Sequence, residues 1–202
     1  MQPAPTSVAP SLIYRPASWV ERLPLAAMFA HPHPLEVELG SGDGSFLARW
    51  AEARPEQNFL GVERLLGRLR KLDRKARRAG LANLRLLRIE AGYFLEYLLP
   101  PASIRTLHVY FPDPWPKRKH RKHRLINERF PGLAAKVLAP SGIVYLRTDD
   151  ADYLAQMQEV FAAENRFQAV ETPAELSAVV TDFERTFQAR GVATLRAAYQ
   201  LR

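Results

Sequence analysis

Leu35-Glu-Val-Glu-Leu-Gly-Ser-Gly-Asp-Gly44 is the stretch on which the fold turns. Its first five residues read as a strand, and the glycines behind them end it. Phe46, Leu47, Trp50 and Ala51 then recur at helical spacing as far as Pro55. The same order of strand and helix returns downstream. Residues 58–63 form a second strand. A helix over 64–80 follows, with Leu65, Leu69, Leu72, Ala76 and Ala79 as its apolar stripe and Gly80 as its stop. Residues 83–90 alternate as a strand, 93–99 suit a short helix and 104–111 a further strand. After a Pro- and Lys/Arg-rich loop over 112–124, a helix runs from about 128 to 138, with Pro131 tolerable only in its first turn. Pro140-Ser-Gly142 turns the chain into a strand at 143–148. Leu154, Met157 and Phe161 mark another helix, and 192–201 closes as a strand. No internal repeat is visible.

Such alternation predicts an α/β fold, a mostly parallel sheet with helices on both faces and right-handed crossovers. Ligands in these sheets bind beyond the carboxyl ends of the strands. Segments 38–44, 63–64, 90–92, 111–117 and 148–150 therefore share one rim. The glycine spacing is G-x-G-x-G, not the dinucleotide G-x-G-x-x-G. Glu63 ends the second strand, where an acid accepts hydrogen bonds from ribose hydroxyls, and Glu90 ends the third. A plain tight connection also satisfies the glycines. Three successive carboxylates, however, would repel a pyrophosphate, and they suit a ligand with ribose hydroxyls and a cationic centre. That favours S-adenosylmethionine over a nicotinamide dinucleotide.

The 202 residues are 47% hydrophobic and 25% charged, enough to bury a core. No apolar run approaches the ~18 residues of a membrane span, so no membrane association is expected. The chain has no cysteine, which excludes disulfides, thiolate metal sites and a cysteine nucleophile. Twenty-nine Lys and Arg against 21 Asp and Glu give a net charge of +8, favouring a polyanionic partner. Residues 1–18 are dense in proline and read as a disordered or extended tail, with one domain over 19–202. No signal peptide is recognisable, which makes the cytoplasm the expected compartment. No metal site is expected: His31 and His33 lack ligand spacing, and His120 and His123 sit among cations.

Tyr110-Phe-Pro-Asp-Pro-Trp-Pro-Lys-Arg-Lys-His-Arg-Lys-His-Arg124 carries the most specific information. Residues 117–124 are all Lys, Arg or His. Such a run is either a solvated loop or a grip on an RNA backbone that leaves specificity to a neighbouring pocket. Its place on the ligand rim, behind a proline-stiffened turn, favours the second.

This segment resembles the Phe-x-Asp-Pro-Trp-Pro-Lys signature of the bacterial tRNA (guanine-N7-)-methyltransferases, the TrmB family. Glu38-Leu-Gly-Ser-Gly42 is similar to that family's cofactor loop, Gly61-Val-Glu63 to its G-[IV]-E, and Arg147-Thr-Asp149 to its T-D after the fifth strand. Thr181-Asp-Phe-Glu184, followed by Phe187 and Arg190-Gly191, resembles its T-x-[FY]-E substrate motif. The likeness covers about 35–202. Two departures stand out: Glu90-Ala91 replaces the usual Asp-Ala, and Asp182 occupies a position that is commonly basic.

The resemblance implies a class I S-adenosylmethionine-dependent methyltransferase fold (Rossmann-like) with a C-terminal antiparallel strand. It implies methyl transfer to N7 of guanine at position 46 of the tRNA variable loop. Glu38, Gly40, Gly42, Glu63, Glu90 and Asp113 would then hold the cofactor, with Glu63 on the ribose and Glu90 near the adenine. Lys117, Asp149, Thr181, Phe183 and Glu184 would meet the substrate, and Asp113 would be the catalytic residue. Trp115 suits either base stacking or packing beneath the loop. The basic residues of helix 64–78 suit either an RNA footprint or a solvated face. Nothing in the residues separates a monomer from a homodimer. The rivals are a methyltransferase of another class, a nicotinamide oxidoreductase and a non-catalytic RNA-binding module.

Overall fold

The computed structural model describes residues 10–202. Among the described residues eight strands form one sheet: β1 (Ile13–Tyr14), β2 (Leu35–Leu39), β3 (Asn58–Val62), β4 (Leu84–Leu87), β5 (Ile104–Tyr110), β6 (Leu138–Thr148), β7 (Phe167–Val170) and β8 (Leu195–Leu201). Their order across the sheet is β1-β4-β3-β2-β5-β6-β8-β7. The first six run parallel, and β8 lies antiparallel to both β6 and β7. The order reverses at β2, where the chain leaves to one side through β3 and β4 and returns on the other through β5. That reversal opens a crevice beyond β2 and β5, the place such sheets use for ligands.

The helices are α1 (Leu25–Met28), α2 (Leu47–Glu52), α3 (Leu66–Arg78), α4 (Ala91–Tyr93), α5 (Phe130–Val137), α6 (Ala151–Ala162), α7 (Ala174–Ala178) and α8 (Asp182–Gln188). Strand alternation sends the two kinds of β2 side chain to opposite faces. Leu35, Val37 and Leu39 join Val109, Val144 and Leu146 under Leu98, Phe130 and Phe161 in the larger core. The other face packs Phe46, Trp50, Leu69, Leu72 and Leu176 against Phe59 and Leu86. It also carries a polar strip of Glu36, Glu38, His108, Tyr110 and Arg147, all buried. Within it, His108 Nε2 lies 2.8 Å from Glu36, and Tyr110 OH lies 2.7 Å from His108 Nδ1. Trp50 donates to Glu36 at 2.9 Å. These contacts satisfy Glu36, His108 and Tyr110 within the protein, as a buried polar face requires.

The structure departs from the sequence expectations in several places. Residues 1–9 of the expected tail lie outside the described residues. Further along, Ile13 and Tyr14 are not tail but pair in parallel with Leu86 and Leu87. Pro140-Ser-Gly142 does not precede β6; it is a bulge inside it, and the β5–β6 register shifts between Ile104 and Thr106. The short helix after Glu90 continues as a π-helical turn, Phe94–Leu98. The basic loop contains a 3-10 helix, Arg118–His123. No helix among the described residues is long and apolar enough to cross a membrane.

Candidate active site at the carboxyl rim

The loop after β2 is built by backbone geometry that side chains resist. Gly40, Gly42 and Gly44 have φ of 78°, 55° and 76°, in the left-handed region that glycine enters at little cost. The amides of Gly40 and Ser41 donate to Val62 O at 2.8 and 3.0 Å, tying the loop to β3. A Cβ on Gly40 would meet nothing within 4 Å, and one on Gly42 only Gly40 O at 3.9 Å. The loop therefore has an open side. Gly44 differs: its Cβ would fall 2.0 Å from Leu72 Cδ1, so α3 packs directly on the turn.

Three carboxylates follow. Glu63 is buried, and accepts from Gly42 N at 3.1 Å and from Leu65 N at 2.7 Å, bracing the glycine loop against the start of α3. Glu38 is buried too, and its Oε2 has no hydrogen-bond partner. Burial drives its pKa up to about 8; Arg147 opposes the shift, while Glu63 and Asp43 add to it. Glu90 is exposed and caps α4, accepting from Gly92 N at 2.8 Å and Tyr93 N at 2.7 Å. A carboxylate is favoured there by the orphan amides of the helix start.

Asp113 stands on the loop after β5, its side chain exposed. Residues on either side of it, Phe111 (φ 51°) and Trp115 (φ 43°), are non-glycine residues in the left-handed region, a cost of order 1–3 kcal/mol each. Phe111 N donates to Arg147 O at 2.8 Å, and Trp115 N to Asp113 Oδ1 at 3.1 Å. Arg124 completes the brace. Its guanidinium is 1% exposed and donates to Pro114 O at 2.7 Å, Gln156 Oε1 at 2.7 Å and Asp152 Oδ2 at 2.6 Å. The last residue of the basic run is thus an internal clamp between the Asp113 loop and α6. Arg121 also pairs with Asp152, at 2.8 Å, whereas Lys117, Arg118, Lys119 and Lys122 are exposed.

The C-terminal motif divides in two. Thr181 and Glu184 form a reciprocal capping box on α8. Glu184 is fully buried, with Arg147 at 2.8 Å and Arg196 at 3.0 Å. These two side chains shape the site without facing solvent. Phe183 is 51% exposed and stacks loosely with Phe111 and Phe187. Asp149 is half-buried just past β6. Asp182 pairs with Arg185, and its amide donates to Ser45 at 3.1 Å. Trp115 lies half-buried against His120 and His123. Nothing in the sequence pattern marks the buried Arg147, and Arg124 stands in the run expected to grip RNA but is turned inward. The capping-box spacing of Thr181 and Glu184 was the one legible sign of the buried hub.

A family model described as "Putative methyltransferase" matches residues 32–197. A tRNA (guanine-N(7)-)-methyltransferase of Nocardioides sp. is 38% identical over 88% of this chain and 72% of its own length. The chain belongs to this methyltransferase family. A relative of the same name from Bordetella parapertussis is 40% identical over 70% of the chain, which spans 56% of that protein's length. In Syntrophotalea carbinolica the figures are 37%, 70% and 62%. Among solved structures, the 16S rRNA methyltransferase KamB aligns with a TM-score of 0.60 at 16% identity, covering 83% of this chain and 87% of its own. An rRNA methylase from Streptococcus thermophilus aligns at 0.57 and 14%, covering 84% and 87%. At such identity the likeness is one of fold alone.

Proposed function

We propose that the chain transfers a methyl group from S-adenosylmethionine to N7 of a guanine in tRNA, at position 46 of the variable loop, in the cytoplasm. The observation that carries the reading is the pairing, on one rim, of an open glycine loop lined by acids with Asp113 on a doubly strained, clamped turn. The unpartnered Glu38 oxygen and the empty space over Gly40 and Gly42 fit a ligand with a cationic centre. Glu63 retains lone pairs for ribose hydroxyls beyond those its two amides use. Glu90 lies beside the start of α4, where an adenine would sit.

When bound, that donor supplies a methyl carbon on a positively charged sulfur. Guanine N7 already holds an in-plane lone pair, so no side chain has to remove a proton. The N–C bond forms as the C–S bond breaks with its electron pair going to sulfur. What the chain supplies is alignment, worth roughly 7–11 kcal/mol when the geometry is well held, and a counter-charge. Asp113 positions the acceptor and stabilises the positive charge growing on the base. Asp149 accepts from the N1–H and N2–H₂ edge, Phe183 offers a ring face for stacking, and Lys117 with the exposed cations after it holds phosphate. Thr181 and Glu184 serve by fixing α8, and with it Phe183.

The test is incubation with labelled donor and an unmodified tRNA transcript, followed by nucleoside mass spectrometry. The expected product is 7-methylguanosine from the parent and none from Asp113→Ala, whose tRNA affinity stays near normal. Label on another base, or on no RNA, rejects the proposal.

A further inference from the structure

Helix α3 has seven basic residues and one acid in its thirteen positions. The acid, Asp73, is turned inward. It accepts from Leu12 N at 2.7 Å and from Ser11 Oγ at 3.2 Å, and it pairs with Arg77 at 3.4 Å. The helix has thus spent its one carboxylate on fastening the N-terminal strand. Arg68, Arg70, Lys71, Arg74, Lys75 and Arg78 are exposed, and a solvated helix of mixed charge would not be left so one-sided. The fastened segment then builds a cleft of about 800 Å³ with α3 and the end of β4, lined by Tyr14, Arg15, Trp19, Leu66, Arg70 and Arg88 among others. Trp19 is 45% exposed. Its carbonyl accepts from Tyr93 OH at 2.8 Å, and Tyr93 N is bonded by Glu90. The cleft therefore opens on the same rim as the acids, beside Glu63 and Glu90. The face it shares with α3 is opposite the one on which Arg124 clamps the basic loop to α6.

We propose that this cleft and the outer face of α3 form a second RNA-binding surface, taking the phosphate backbone of the substrate on the far side of the rim from residues 117–122. This inference rests on the tRNA reading above. Guanidinium groups at 15, 70 and 88 meet phosphate oxygens, and the Trp19 ring gives an unpaired base a stacking partner. An exposed indole among arginines favours RNA over a lipid surface, which would meet charge without a base-sized cleft. A strand that crosses the rim and is held on both flanks has its guanine delivered to Asp113 between them.

The salt dependence of tRNA binding to the full chain tests this, using fluorescence anisotropy from 50 to 300 mM KCl. Arg15→Ala/Arg70→Ala/Arg88→Ala is expected to lower the slope of log K against log salt by about two and to weaken binding about tenfold or more. KM for tRNA rises, kcat at saturation is unchanged, and S-adenosylhomocysteine affinity is retained. The unmodified protein gives a second readout: tRNA protects Lys71 and Lys75 from acetylation. An unchanged slope with unprotected lysines overturns the surface while leaving the methyl-transfer reading intact. A parent that binds tRNA through this face but makes no 7-methylguanosine overturns the reading and keeps the surface. Lysines protected by phosphatidylglycerol vesicles and not by tRNA overturn the surface in favour of a membrane.

Discussion

Arg147 and Glu184 meet at 2.8 Å with both side chains sealed from solvent, one 1% exposed and the other 0%. Arg147 also donates to Val179 O at 2.9 Å and Leu176 O at 2.5 Å, so a single guanidinium pins α7 and the start of α8 to the end of β6. Removing Arg147 leaves the buried Glu184 with only the partly exposed Arg196 as counter-charge and takes the donor from Val179 O and Leu176 O, which together cost about 3–5 kcal/mol. Arg147→Met is therefore expected to lower Tm by about 10 °C, at roughly 2–4 °C per kcal/mol for a chain of this size. Arg185→Ala, which breaks the solvent-exposed pair with Asp182, should cost under about 1 kcal/mol. Thermal and urea denaturation of the two variants makes the comparison, and equal losses would deny Arg147 its role as the pin.

Glu38 gives opposite pH dependences for stability and for cofactor binding. Its folded-state pKa of about 8 lies above the ordinary 4.5. The native state thus favours the neutral acid, and that contribution is fully present below the unfolded value and lost as pH rises through about 8. Stability of the parent relative to Glu38→Gln should fall between pH 5 and 9. Affinity for S-adenosylhomocysteine, with its ammonium group, should rise over the same range as the carboxylate ionises. Calorimetry across pH reads the second, and a flat profile that matches the Gln variant contradicts it.

Arg124 should act on rate more than on tRNA affinity. Lysine at this position keeps the charge but cannot reach Pro114, Gln156 and Asp152 together. The Asp113 loop then shifts, and displacement by about 1 Å at a reacting group costs on the order of 10²-fold in rate. Arg124→Lys is expected to lower kcat about 10- to 100-fold with KM for tRNA within about twofold. A change in KM alone would make Arg124 an ordinary RNA contact.

Gly42 and Gly44 should fail in different ways. Alanine at 42 meets open space but has to hold φ 55° and projects into the proposed cradle, so S-adenosylhomocysteine binding weakens with a modest loss of stability. Alanine at 44 drives its Cβ into buried Leu72, and overpacking of that kind costs about 1–3 kcal/mol in addition to the backbone strain. Titration calorimetry and melting curves separate the two, and identical behaviour would mean that the loop's open side holds no ligand.

The central strands were legible because β2, β3 and β5 are short, strongly apolar runs closed by turn residues, and α3 because its buried Leu69, Leu72 and Ala76 recur at helical spacing. Strand β1 was not, since two residues become a strand only through Asp73 and β4, partners about sixty positions away or more. Strand β7 is four residues at the sheet's edge with two of them exposed, too little pattern to read. At the candidate site, motif and position were enough to put the glycine loop, the acids and Asp113 on one rim. The burial of Arg124 could not be read, because a charge string does not reveal which member turns inward until the loop's tertiary partners are in place, and that of Glu184 left only its capping-box spacing from Thr181 as a trace.

The polar strip beneath α2, with Glu36, His108, Trp50 and Tyr110 each completing another's hydrogen bonds, restricts how the chain can diverge. Trimming Glu36, His108 or Tyr110 to hydrocarbon orphans a neighbour in the interior, and trimming Trp50 takes one of the two donors from Glu36. Descendants of this sequence should therefore exchange these four side chains together or hardly at all, while the oily positions across the sheet drift one at a time.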